Sequence, residues 1–144
     1  MNYIETINKL LTPKEGGPPT LDLFAGCGGL ALGFEAAGFE TIGFEMVENY
    51  AATYNKNLKG KCLVQHLDSD FAFPDAQVII GGPPCQPFSV GGHQRGLEDA
   101  RDGFPAFIAA VEKTKPDIFL FENVRGLMYK NKWYLEEIVE RLHD

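Results

Sequence analysis

The chain is short of cysteine, histidine and tryptophan, has no long apolar run and carries few basic residues, and each shortage closes off a class of protein. Its three cysteines (Cys27, Cys62, Cys85) are odd in number and form no CxxC pair, and His66, His93 and His143 are scattered. That pattern argues against a disulfide framework and against a zinc site, so reduced thiols and no metal are expected. No stretch approaches the about 18 unbroken apolar residues of a membrane span. The opening MNYIETINKL has neither a basic leader nor a long apolar segment, so no membrane association and a cytoplasmic setting are expected. With 13 basic against 20 acidic residues the formal charge is -7, the wrong sign for a surface that grips phosphates unaided. If nucleic acid is the substrate, most of the grip lies elsewhere. What remains is 144 residues, 44% hydrophobic and 23% charged, enough for one globular domain that buries about two-thirds of its unfolded surface.

Hydrophobic periodicity orders the chain. Residues 3–11 place Ile4, Ile7, Leu10 and Leu11 at helical spacing, and PKEGGPP (Pro13 to Pro19) reads as a flexible link, so residues 1–19 form a short helix and linker. From Thr20 the pattern alternates: strand near 20–25, helix 29–37, strand 40–45, helix 47–57, strand near 61–65, strand 77–81, helix 102–114, strand 117–122 and helix 132–143. Strands alternating with helices predict an α/β fold with a doubly wound, mostly parallel sheet. The intervening loop, residues 82–101, is too long for an ordinary connection, and Gly91, Gly92, Gly96 and Gly103 give it hinge points, so it could close over a substrate.

That loop begins GGPPCQPFS. Gly81 and Gly82 let the backbone leave the strand freely, whereas Pro83, Pro84 and Pro87 stiffen the loop itself, so Cys85 is rigidly presented. A free thiol with a pKa near 8.5 is only roughly 3% thiolate at pH 7, so a nucleophilic cysteine must be activated by its surroundings. A buried structural cysteine in a tight turn is the alternative; the density of glycine and proline at a strand end favours the nucleophile.

The segment DLFAGCGG (Asp22 to Gly29) follows an apolar strand and opens an amphipathic helix. Gly26, Gly28 and Gly29 permit close backbone approach at the carboxyl end of the first strand, where doubly wound sheets bind ligands. GCGG lacks the GxGxxG spacing of a pyrophosphate site. Glu45 ends the second strand, about 20 residues on, where a carboxylate can accept from both ribose hydroxyls; together these features suggest an adenosine. Asp68 is placed to accept from an adenine amine, with Asp70 competing and a turn carboxylate as the bland alternative. Phe24 and Met46 can flank the adenine, or belong to the core.

DLFAGCGG, Glu45, GGPPCQPFS and ENV (Glu122 to Val124), in that order and spacing, resemble the cytosine-5 DNA methyltransferase family from about Thr20 to the last residue. The resemblance implies a Rossmann-like fold dependent on S-adenosylmethionine. It assigns the cofactor to Phe24, Ala25, Gly26, Cys27, Gly28, Gly29, Glu45, Met46, Asp68, Gly82, Pro84 and Phe104, and catalysis to Cys85, Glu122, Asn123 and Arg101. Carbon 5 of cytosine is a poor nucleophile until something adds at carbon 6, which Cys85 would do covalently. Glu122, at the end of a buried strand, would donate a proton at nitrogen 3 if burial raises its pKa, with Asn123 orienting that carboxyl. As isolated residues, Glu122 reads as a capping acid and Arg101 as a surface ion-pair partner of Asp99 or Glu98. The target base must be flipped out of a DNA duplex, and Ser89 to Arg101 would close over it.

Family members continue beyond ENV with an arginine-bearing segment, a target-recognition region and a closing helix that completes the cofactor site. Residues 20–144 therefore read as the first part of an incomplete catalytic domain, with the recognition domain absent and a complementing polypeptide expected as partner. Such a chain is expected to bind cofactor weakly and not to methylate DNA alone. Three other readings are a transfer RNA cytosine methyltransferase, a catalytically silent partner subunit and a dehydrogenase-like nucleotide module. Cys85 with Glu122 speaks against the silent partner, and the missing GxGxxG against the dehydrogenase.

Overall fold

The structure, a computed structural model, describes residues 6, 16–85, 102–129 and 131–143. Their elements run β1 (Pro19–Leu23), α1 (Gly29–Ala37), β2 (Glu40–Glu45), α2 (Glu48–Asn57), β3 (Lys61–Val64), β4 (Val78–Gly81), α3 (Phe104–Thr114), β5 (Ile118–Phe121), α4 (Gly126–Tyr129) and α5 (Lys132–His143). The five strands lie in the order β3-β2-β1-β4-β5 and every neighbouring pair is parallel. This is the doubly wound sheet that the alternating pattern predicts. The order reverses between β1 and β4, so the crevice of such a sheet falls outside their carboxyl ends.

Each face of the sheet has its own core. Leu21, Leu23, Phe44 and Ile79 meet Ala106, Phe107 and Ala110 of α3. Asp22, Gly43 and Cys62 share the opposite face by register, where Cys62 packs with Ala31 of α1 and with Ala51 and Tyr54 of α2. A third cluster joins the C-terminal elements, Phe104 and Ile108 of α3 with Leu127 of α4 and Tyr134 and Ile138 of α5. Burying each such large apolar side chain is worth roughly 1.5–3 kcal/mol, so this cluster fixes α4 and α5 against α3.

The structure departs from the sequence pattern in four places. β1 ends at Leu23 because Phe24 already turns, with φ 58, a left-handed conformation that a bulky residue adopts only at a local cost. Gly103 caps α3 and Pro105 follows in its first turn, where a missing N–H does no harm, so the helix starts at Phe104 rather than 102. The single turn α4 was not predicted, since four residues carry no readable periodicity. The largest departure concerns β5, which is an edge strand and not a buried one: Ile118 is 63% exposed and Leu120 44%. By register these two stand beside Val78 and Ile80 on the α1/α2 face, beyond the reach of those helices. The predicted helix over 3–11, save Thr6, and the loop beyond Cys85 lie outside the described residues.

Candidate active site

Two clefts open at the carboxyl ends of the strands and share Gly82 and Pro84 as a common wall. The first, about 520 Å³, is lined by Phe24, Glu45, Met46, Leu67 and the shared pair, among others. Glu45 is buried, and its carboxylate is fixed by two backbone donors: the Gly26 N–H gives to Oε2 at 2.9 Å and the Val47 N–H to Oε1 at 2.8 Å. The glycine turn and the second strand are thereby tied together by one acid. Gly28 has φ 86, and a Cβ there would fall 2.6 Å from the Tyr54 ring, so only glycine closes this turn. Its N–H bonds the Ala25 carbonyl at 2.9 Å; the Ala25 side chain packs toward the Tyr54 cluster, Cys27 is exposed at the tip and Gly29 opens α1.

Three predicted cofactor residues stand differently. Asp68 is exposed and accepts the Asp70 N–H at 2.9 Å, a turn carboxylate outside the cleft wall. Gln65, His66 and Leu67 line the cleft instead. The signal for them was available, because β3 ends at Val64 and the residues immediately after a strand face the crevice. Phe104 is fully buried in the C-terminal cluster, and the cleft is lined there by its neighbours Asp102 and Gly103. Met46 lines the cleft but is 65% exposed.

Beneath this cleft lies a group not singled out from the sequence. Asp22, in the middle of β1, is 1% exposed, and its Oδ2 lacks a hydrogen-bond partner among the described residues. Burial, and secondarily the Glu45 carboxylate, push its carboxyl up from 3.8 to about 7. The folded chain therefore holds this proton more tightly than the unfolded chain does. Its stabilising effect is complete below pH 3.8 and is lost as pH rises toward about 7. At about 1.4 kcal/mol per unit the whole effect is roughly 4 kcal/mol. Urea unfolding of Asp22→Asn at pH 5 and pH 8 should show the wild-type decline of about 2–3 kcal/mol between those values largely removed; equal declines in both proteins would contradict the assignment.

The second cleft, about 360 Å³, holds Cys85, Glu122 and Asn123 together with Gly126 and Asn131. The cysteine and the acid of two distant motifs thus face one space. A Cβ on Gly82 would sit 3.4 Å from Glu122 Oε2, so the carboxyl lies against the shared wall. Glu122 is exposed, not buried as predicted, because β5 is the sheet edge. The Asn123 amide donates to the Pro83 carbonyl at 2.8 Å and its Oδ1 accepts the Val124 N–H at 2.9 Å. Asn123 therefore ties the cysteine loop to the ENV turn, in place of the expected role of orienting the Glu122 carboxyl. Arg101 lies outside the described residues.

Cys85 is half-buried, and its backbone makes an antiparallel bridge with Asp102. Gly103 completes that return: its N–H bonds the Pro84 carbonyl at 2.9 Å, and a Cβ on it would stand 2.4 Å from the Pro84 ring. Burial, then the Asp102 carboxylate, push the thiol up to about 11. Surroundings expected to activate the thiol instead hold it protonated. Among the described residues no cluster of histidine, cysteine and carboxylate groups could hold a metal ion, and no helix is long and apolar enough to cross a membrane.

Sheet order and cleft position are those of a Rossmann-like fold, an architecture that S-adenosylmethionine-dependent methyltransferases share. Solved structures of that fold superpose on the chain. The Pyrococcus abyssi tRNA (uracil-54, C5)-methyltransferase, in complex with S-adenosyl-L-homocysteine, does so at TM-score 0.57 and 18% identity, over 96% of this chain and 31% of its own. The Thermus thermophilus 16S rRNA N2 G1207 methyltransferase, in complex with AdoMet and guanosine, does so at 0.56 and 26%, over 93% and 36%. Sequence narrows the class. Residues 19–144 match the profile of the C-5 cytosine-specific DNA methylases, and the chain belongs to that family. It is 60% identical over 143 residues to the Type II methyltransferase M.AplI of Arthrospira platensis, covering 97% of this chain and 41% of that protein. It is 40% identical over 129 residues to M.NgoFVII of Neisseria gonorrhoeae, covering 85% and 34%. The chain thus spans well under half the length of these relatives.

Proposed function

We propose that this chain is the first part of a DNA cytosine-5 methyltransferase, and that it acts only with the rest of the catalytic domain, carried on the same or a second polypeptide. The observation that carries the reading is the common wall, Gly82 and Pro84, between the Glu45 cleft and the cleft of Cys85 and Glu122. Group transfer needs the donor and the acceptor atom in near contact, and two clefts with one wall provide that. A cleft of about 520 Å³ with apolar sides and one fixed carboxylate suits a nucleoside, and Glu45 keeps lone pairs for ribose hydroxyls beyond its two backbone bonds. S-adenosylmethionine would supply an electrophilic methyl group there. In the neighbouring cleft the flipped cytosine would meet Cys85: the thiol gives its proton to water, a bond from sulfur to carbon 6 forms and electron density moves into the ring. Glu122, exposed in this chain, would face nitrogen 3 and pass a proton there once the bound base covers it, which offsets the developing charge. Carbon 5 would take the methyl group as its bond to the sulfonium breaks; water then takes the carbon 5 proton, its electron pair restores the 5,6 double bond, the sulfur–carbon 6 bond breaks and Cys85 leaves as a thiolate. Arg101 would contact the backbone of the extruded nucleotide. A DNA substrate places the protein inside the cell.

Need for a complementing part is supported by the apolar side chains of β5 that no described residue covers and by the net charge of -7. Ile118 and Leu120 are a seat for an amphipathic helix, and phosphate contacts must come from a more basic surface. The test is methyl transfer to duplex DNA by the 144-residue chain, alone and mixed with the portion of M.AplI that the match leaves uncovered. We expect transfer only from the mixture. Turnover by the chain alone would remove the need for a partner, and a mixture that neither binds S-adenosylmethionine nor methylates DNA would remove the function.

A further inference from the structure

Asp102 and Tyr134 belong to no motif, yet they meet beside the nucleophile from opposite ends of the C-terminal half. Tyr134 is fully buried on α5, packed in the cluster that Cys85 also touches, and its hydroxyl donates to Asp102 Oδ2. The other oxygen of Asp102 accepts the Phe104 N–H at 3.0 Å. The carboxylate is therefore held from two sides. Its residue pairs with Cys85 across the isolated bridge, where side chains of paired residues project to the same side. We propose that Asp102, locked by Tyr134, is a positioning residue for Cys85: it fixes the loop that presents the thiol and sets a negative charge beside it, which keeps the nucleophile at rest until substrate arrives.

Among the described residues the groups near Cys85 are the Asp102 carboxylate across the bridge, the Tyr134 hydroxyl bonded to it and, in the same cleft, Glu122. A thiolate there would face the Asp102 carboxylate across the bridge, which favours the protonated thiol. Because Tyr134 sits on α5, the seating of that helix on α3 is felt at the sulfur, which links the nucleophile to whatever later packs on the C-terminal elements. A resting thiol is also a poor target for oxidants and alkylating agents, which select thiolates.

The inference rests on Cys85 being the nucleophile, and its test is independent of methyl transfer. Iodoacetamide modification of Cys85 is followed across pH in the 144-residue chain by peptide mass, with the exposed Cys27 as reference in the same molecule. Asp102→Asn keeps a hydrogen-bonding group but removes the charge, and should raise Cys85 modification at pH 7.5 about tenfold, a shift of about one pH unit in its profile, with Cys27 unchanged. Tyr134→Phe keeps the charge but frees it to turn toward water, so a smaller rise of about threefold is expected, with faster amide exchange at Gly103. Asp102→Glu should restore the slow rate. A Cys85 profile unmoved by both Asp102→Asn and Tyr134→Phe, or a parallel rise at Cys27, overturns the proposal.

Discussion

Cys85→Ser in the complemented enzyme should abolish the covalent adduct on DNA containing 5-fluorocytosine and lower turnover by on the order of 10⁴-fold or more. The substitution replaces sulfur by a smaller oxygen in a half-buried site, so the fold and the first cleft should be untouched. The expectation is therefore a split result: S-adenosylmethionine binding within about twofold of wild type while the gel-stable complex disappears. Serine fails because its hydroxyl ionises far above the thiol range. The described groups around it, Asp102 first among them, supply negative charge and no cation to correct this. An adduct that persists in Cys85→Ser would show that another atom attacks carbon 6.

Glu122→Gln should come next in size, with turnover lowered by about 10²- to 10⁴-fold, the range lost when a positioned proton donor is removed. Glutamine has nearly the same shape, and the backbone bond from the residue 122 N–H to the Gly81 carbonyl, 2.9 Å, does not involve the side chain. The amide can still donate a hydrogen bond to nitrogen 3 but cannot deliver a proton, so binding of DNA survives and the chemical step does not. Slow adduct formation with unchanged DNA affinity is the signature to look for. Equal loss of affinity and turnover would instead assign Glu122 to holding the nucleotide.

Strand and helix order was legible because β1 and β2 alternate apolar with polar or small residues, β4 is a short apolar run and the helices repeat apolar positions at a period of about 3.6. The pairing of Cys85 with Glu122 was legible for a topological reason: β4 and β5 are neighbours, so residues just past their ends must meet. Spacing along the chain cannot show which carboxylates face a cleft and which close a turn, and for Asp68, which accepts the Asp70 N–H, both readings stood open. Asp22 stood in plain view within LDLF, but its burial follows only once α1 and α2 are known to cover that face of the sheet. Asp102 and Tyr134 are 32 residues apart, with no periodic relation, and only the folding of α5 onto α3 brings them together. The exposure of β5 was misjudged because IFLF reads as an internal strand, which it would be in a larger sheet.

That outer strand has a consequence for how the protein must be handled by the cell. Among the described residues the outer backbone edge of β5, next to Ile118 and Leu120, has no strand beside it; such an edge accepts a strand from a neighbour, including another copy of itself, and β5 carries no lysine or proline to repel one. Such an edge makes self-association depend on concentration, and the proposed second part would compete with it for the same strand.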